Sequence, residues 1–259
     1  MGFKKMFASL GVGSASVDTV LHEPNVMPGG VVQGEVHFKG GSVAQEIQGL
    51  SVGLMAKVEV ETNDGERTEN IEFGRQQVGG ALTLQEGAAH TVPFQLPVPW
   101  ETPITMFLGQ QLKGMQLGVS TELAIARAVD SSDLDPLNVH PVPAQQAILD
   151  AFGALGFRFK SADMEKGRIR GTRQQLPFYQ EIEFRSPEQY RGLKEVELSF
   201  VADGREMDVV MEMDKKPGLF SGGDTYRSFQ VDMANFEQTD WAGYINQWLM
   251  EVGGKRSWL

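Results

Sequence analysis

The sequence predicts a mostly β protein: two tandem antiparallel β-sandwiches joined by a linker helix and followed by a C-terminal amphipathic helix. Three observations carry this. Apolar and polar residues alternate with period two in both halves of the chain. In the first half, turn signals recur so closely that no amphipathic helix fits between them, which argues against a βαβ fold. Two stripes, after residue 143 and after residue 240, instead follow the i, i+3, i+4 rule of helices. The expected divisions are a first sandwich over 1–129, a linker and helix over 130–156, a second sandwich over 157–235 and a helix and tail over 236–259.

Taken in order, 16-SVDTVLHEP-24 is a short edge strand closed by Pro24, and 26-VMPGG-30 is a turn. In 31-VVQGEVHFKGG-41, Val32, Gly34, Val36 and Phe38 face one way and Gln33, Glu35, His37 and Lys39 the other. The long β-rich run 47-IQGLSVGLMAKVEVET-62 leads to a hairpin signal at 63-NDG-65, where Asn, Asp and Gly tolerate positive φ. In 115-MQLGVSTELAIA-126, Met115, Leu117, Val119, Thr121, Leu123 and Ile125 share a face.

Between these strands lies 90-HTVPFQLPVPWETPIT-105. Val92, Phe94 and Leu96 continue a strand, and Pro93 restricts it to a sheet edge or a strand end. Pro97 and Pro99 stop the ladder and hold their preceding residues extended. Pro97, Pro99, Trp100 and Pro103 therefore read as a stiff corner between sheets, with Trp100 turned down as a lid; the functional alternative is a Pro-x-x-Pro ligand for an SH3-like groove.

The run 130-DSSDLDPLNVHPVP-143 reads as a linker. Ala144, Ala147, Ile148, Ala151, Phe152 and Leu155 form the stripe of the helix behind it, with Gly156 as C-cap. In 178-FYQEIEFRS-186, Phe178, Ile182 and Phe184 share a face that Gln180 interrupts. The strands 195-EVELSFVAD-203 and 206-EMDVVMEMD-214 form a hairpin that points Val196, Leu198, Phe200, Met207, Val209, Met211 and Met213 inward and Glu195, Glu197, Asp208, Glu212 and Asp214 outward. A loop, 215-KKPGLFSGGD-224, precedes a last strand at 226–232. The closing helix carries Trp241, Tyr244, Ile245, Trp248, Leu249 and Val252, with Thr239 or Asp240 as N-cap and Gly253 as stop. Burying about six such side chains contributes on the order of 10 kcal/mol gross, so this helix docks on a sandwich or on a second subunit of a homo-oligomer.

Composition narrows function. A net charge of −11 repels phosphate backbones and anionic headgroups, which disfavours nucleic acid and bare membrane as partners. With no cysteine there is no disulfide, thiolate chemistry or iron–sulfur cluster, which fits a cytoplasmic address. No run approaches the roughly 18 apolar residues of a membrane span, so no stable membrane insertion is expected. Gly2 lacks the Ser or Thr that myristoylation wants at position 6, where Met6 stands. Phe3, Met6, Phe7 and Leu10 follow helical spacing, as a short docked helix or, less simply, a membrane foot.

No metal or catalytic motif emerges. His22, His37, His90 and His140 share no i, i+4 spacing, and Asp130, Asp133 and Asp135 lack the pattern of a calcium loop. No nucleophile elbow or phosphate loop is present, and 221-SGGD-224 reads as a turn; no cofactor is expected. The one local reversal of charge is 166-KGRIRGTR-173. Lys166, Arg168, Arg170 and Arg173 form a candidate interaction patch, with Arg168 and Arg170 on one strand face; the simpler reading is pairing with the acidic hairpin 195–214. Acids and tryptophans on a sandwich also admit a carbohydrate-binding reading, which Trp241 and Trp248, placed on a helical stripe, weaken.

The strands 31-VVQGEVHFKG-40 and 50-LSVGLMAKVEVET-62, with the corner 94-FQLPVPWETPIT-105, resemble arrestin-like N-domains. More specifically, 3-FKKMFASLGVGSASVDTVL-21, 122-ELAIARAVDSSDLDPLNV-139, 153-GALGFRFKSAD-163 and 176-LPFYQEIEFRSPEQYRGLKEVELSFV-201 resemble the bacterial sporulation-control family of the stage-zero M type. The resemblance spans most of the chain. It implies paired arrestin-like sandwiches, no enzymatic activity, and a cytoplasmic regulator or scaffold acting by protein contacts, with cytoskeletal or division proteins among its partners. The phosphate-sensing core and coat-binding tail of eukaryotic arrestins have no counterpart in this sequence.

Overall fold

The computed structural model describes residues 13–62, 65–215 and 225–253. The expected N-terminal helix of Phe3, Met6, Phe7 and Leu10, the turn at 63–64, the loop at 216–224 and the tail beyond Gly253 lie outside the described residues, as does the Val252 side chain. The described chain is mostly β, with two α-helices. It divides into two compact units that interleave in sequence: Met1–Lys57, Thr68–Met106 and Gln116–His140 in the first, and Val58–Arg67, Phe107–Met115 and Pro141–Leu259 in the second.

In the first unit, β1 (Ser16–Leu21), β3 (Val31–Lys39) and β7 (Ala89–Pro97) form an antiparallel sheet in the order β1-β3-β7, while β2 (Asn25–Val26) lies outside it. A second sheet is built on β4 (Gln45–Thr62), which pairs with β5 (Gly65–Gly79), β6 (Leu82–Leu84) and β10 (Leu117–Ile125). The short strands β8 (Met106–Phe107) and β9 (Gln110–Gln111) pair with each other, and Phe107 and β9 belong to the second unit. Alternation works as expected: Val32, Val36, Phe38, Phe94 and Leu96 are buried in one sheet, and Leu50, Val52, Leu54, Leu117, Val119 and Leu123 in the other. Pro93 sits on β7, at the margin of its sheet, where a missing N–H costs no ladder bond.

The expected linker is largely ordered. Ser131–Pro136 form β11, antiparallel to β10, and Asn138–Val139 form β12, parallel to β2. Its aspartates have structural tasks that composition hides. Asp133 is buried and accepts the Thr19 backbone N–H at 2.7 Å, next to a 2.7 Å hydroxyl contact between Thr19 and Thr121. Asp130 accepts the Ile125 N–H.

The second unit centres on β13 (Arg158–Lys166), β14 (Phe178–Arg185), β15 (Leu193–Ala202), β16 (Glu206–Lys215) and β17 (Thr225–Asp232), antiparallel neighbours in that order. One face carries the core: Met164, Ile182, Phe184, Val196, Leu198, Met207, Val209, Met211, Met213 and Val231 are all buried. Gln180, the break in the β14 stripe, is buried among them with its amide on the Met115 sulfur. α1 (Pro143–Ala154) buries Ile148, Leu149 and Phe152, and Phe152 packs its ring on Phe157 and Phe184. No side chain caps it in the usual way; Gln145 reaches back to the Val142 N–H. Gly156 ends it at φ +85°, a conformation that other residues resist.

α2 (Trp241–Gly253) starts at Asp240, which accepts the Gly243 N–H, so of the two expected caps it is Asp240 that acts. Ile245 and Leu249 are fully buried. Trp241, Tyr244 and Trp248 gather around Phe229 of β17, and Tyr190 donates to Asn246. Within its unit, the helix thus covers the end of the sheet's apolar face.

Candidate functional site

Pleating that buries one face of the second unit's sheet must turn every alternate residue to the other face. On that face stand Asp163 and Glu165 of β13, Glu181 and Glu183 of β14, Glu195 and Glu197 of β15, and Glu212 and Asp214 of β16. Register brings them together: Asp163 lies opposite Glu181, Glu183 opposite Glu197, and Glu197 opposite Glu212. Like charges facing one another across strands destabilise a sheet unless something neutralises them.

At one end something does. Lys160 Nζ reaches both Glu183 and Glu195, lying 2.9 Å from Glu195 Oε2. It lowers the Glu195 pKa, and both glutamates raise its own. At the other end, carboxylate oxygens of Glu181, Glu197 and Glu212 lie within 4.8 Å of one another. Burial pushes Glu181 up to about 8, and neighbours led by Glu197 add to it. Burial, then Glu212, pushes Glu197 up to about 7. Asp163 is also pushed up to about 7 by burial and by Glu165, and its Oδ1 is buried with no hydrogen-bond partner among the described residues. Tyr179 is raised by burial first and then by Glu181. These groups hold protons at neutral pH because charging them all at once is too costly.

The glutamates floor a cleft of about 540 Å³. Tyr179, Ser199, Val210, Tyr226, Arg227 and Ser228 complete its sheet side, and Arg168, Ile169 and Arg170 line it from the segment that follows β13. That segment is not the strand the alternation of Arg168 and Arg170 predicts: β13 ends at Lys166, and residues 167–177 form a loop. A single buried side chain shapes the loop. Gln174 accepts the Ile169 N–H at 2.8 Å and donates to the carbonyls of Gly167, Leu176 and Phe178. Arg173 ties the same loop to the β15–β16 hairpin through Asp203, Glu206 and Asp208. Asp203 is held well below the usual carboxylate range by the Glu206 backbone N–H and by Arg173.

The expected basic patch therefore divides. Arg173 pairs with the acidic hairpin, Arg168 and Arg170 line the cleft, and Lys166 closes β13 outside the cleft lining. Asp208 points outward as expected but is buried, because Arg173 covers it. Gln174 and Glu181 were not singled out by motif; a polar residue inside a basic, glycine-flanked loop was the available signal for the first. In the first unit, Pro97 ends β7, and Trp100 is 37% exposed with its ring lying on Gly29, where an added Cβ would fall 2.4 Å from it. Pro103 is buried and Pro99 half-buried. Trp100 thus covers a glycine turn rather than disappearing into a core.

Chemically, the cleft offers carboxylates that gain from added positive charge and arginines that gain from a carboxylate. Three oxygens fall short of the six to eight that calcium takes, and no nucleophile–base pair is present among the lining residues.

The family described as SpoOM protein matches residues 3–217. The chain is 36% identical over 216 residues to the sporulation-control protein spo0M of Bacillus subtilis (strain 168), covering 83% of this chain and 81% of that protein. It also superimposes on the crystal structure of Spo0M, sporulation control protein, from Bacillus subtilis with a TM-score of 0.80 at 29% identity, over 93% of this chain and 100% of that one.

Proposed function

The chain belongs to the SpoOM protein family, and from that premise we propose that it is a cytoplasmic regulator of the sporulation-control type that holds other proteins and turns over no substrate. The observation that carries this reading is the match along most of its length to a protein named for sporulation control. The absence of a nucleophile–base pair in the cleft described above is consistent with a binding role. We read each unit as an arrestin-like β-sandwich. In the first unit this rests on two sheets that each bury one alternating row. In the second it rests only on the alternation along β13–β17, because the apolar face of that sheet meets rings of α1 and α2, Phe152 on Phe184 and Trp241, Tyr244 and Trp248 on Phe229, where a sandwich would put a second sheet. Among the described residues no helix is long and apolar enough to cross a membrane.

The test is complementation. Expressed in a Bacillus subtilis strain that lacks its own sporulation-control protein spo0M, this chain should restore sporulation to the parental level, and in-cell cross-linking should give a discrete protein adduct. Stable expression without restoration would contradict the reading.

A further inference from the structure

The acidic end of the second unit's sheet and the arginines beside it line one cleft, yet they do not pair with each other. Arg168 donates only to the Gln174 carbonyl, at 3.4 Å, and among the described residues neither Arg170, Glu181 nor Glu197 makes an ion pair or side-chain hydrogen bond. Elsewhere in the same unit the chain neutralises its acids efficiently: Lys160 takes two glutamates and Arg173 three carboxylates. Loop flexibility does not explain the difference, because Gln174 and Arg173 fix the loop at both sheet and hairpin. Opposite charges held in one cleft of about 540 Å³ without collapsing on each other leave room for a group that satisfies both.

We propose that this cleft receives a lysine or arginine side chain of a partner protein, its cationic head among Glu181, Glu197 and Glu212, and that Arg168 and Arg170 take a carboxylate carried beside it on the same segment. The inference rests on the reading of this chain as a contact protein and names the partner chemistry of its site. A lone cation gains from the glutamates but meets Arg168, Arg170 and Arg227; a lone anion gains from the arginines but meets the acidic floor. A segment carrying both charges satisfies each wall, and the net charge of −11 favours approach of its basic end. Tyr179 and Tyr226 supply ring surface for the aliphatic stem of the inserted side chain.

Binding is proton-linked. The groups facing the cleft and its surroundings are Asp163 and Glu165 of β13, Tyr179 and Glu183 of β14, Glu195 of β15, Asp214 of β16, Tyr226 and Arg227 of β17, and the loop arginines. Glu181 and Glu197 hold protons near pH 7, and a cation placed between them favours the charged forms. Protons are therefore released on binding, and affinity rises from pH 6 to pH 8.

Calorimetric titration of the full chain with acetyl-Gly-Lys-Asp-Gly-amide, at pH 7 in two buffers of different ionisation heat, tests this. The expected result is binding with proton release. An analogue with norleucine in place of lysine, and one with asparagine in place of aspartate, should each bind about tenfold more weakly, the order of one lost charge-assisted contact. Arg168→Gln with Arg170→Gln should abolish the preference for aspartate over asparagine while leaving that for lysine. Equal affinity for the lysine and norleucine peptides, or no heat at millimolar peptide with the protein folded, would overturn the proposal; the peptide analogues need no altered protein. If sporulation is restored and the cross-linked adduct persists in the double arginine variant, the contact-protein reading stands and this site falls.

Discussion

Glu195 and Glu197 stand two residues apart on one face of one strand and meet opposite fates. Lys160 lies against Glu195 and lowers its pKa, whereas burial, and then the neighbouring Glu212 and Glu183, push Glu197 up to about 7. The same contrast separates the units. In the first, Arg75 sits between Glu72 and Glu122, so an exposed pair of acids is neutralised where it stands. Solvent-facing acids are the ordinary dress of a sheet, and a cation reaches them at little cost. Where the chain fixes cations nearby and still leaves Glu181 and Glu197 without an ion pair or side-chain hydrogen bond among the described residues, the arrangement is better explained by something outside the chain than by solubility.

The contrast can be broken at several points. Gln174→Ala should have the largest effect. It removes, with a buried side chain, the acceptor of the Ile169 N–H and the donor to three carbonyls in and beside a half-buried loop, a loss on the order of 3 kcal/mol, seen as a Tm lower by roughly 6–12 °C. Lys160→Met should come next, making the compensated end resemble the uncompensated one. Allowing for the partial exposure of Lys160, the loss is about 1–2 kcal/mol at pH 8 and shrinks as pH falls through the lowered native pKa of Glu195.

Glu197→Gln should act the other way. Its native pKa of about 7 lies above the ordinary 4.5, so between those values the native chain holds more proton than the unfolded chain, and stability falls as pH rises through about 7. Removing the charge should raise Tm at pH 8 by about 2–4 °C, roughly 1 kcal/mol after solvent screening, and do nothing at pH 4. Arg75→Met should be smallest, below about 1 kcal/mol, because that triad is exposed and salt-screened. A loss at Arg75 as large as that at Lys160 would mean that the two acid clusters do not differ in kind.

Much of this was legible beforehand, and what was not has a physical reason. Period-two alternation assigned Glu195, Glu197, Glu212 and Asp214 to the outer face, and helical spacing placed Ile245 and Leu249 against a core. Alternation fixes a face, but it does not say which strands are neighbours, so the meeting of Glu181 with Glu197 and Glu212 stayed hidden until register was known. Nor does it see what covers a face: Asp208 follows the outward pattern yet is buried under Arg173. Composition misled at 130–143, where aspartates and prolines read as linker but Asp133 is a buried acceptor in β11. The loop at 167–177 alternates like a strand only in its arginines; its conformation is set by Gln174, whose four bonds no local pattern announces.

The account turns on the protonation of one small group of acids. Carbon-13 NMR titration of the glutamate side-chain carboxyls, assigned with Glu181→Gln and Glu197→Gln, measures it directly. The account predicts midpoints near 8 and 7 for these two and one below the ordinary glutamate value for Glu195. Midpoints for Glu181 and Glu197 at the ordinary value near 4.3, alongside Glu195, would contradict it.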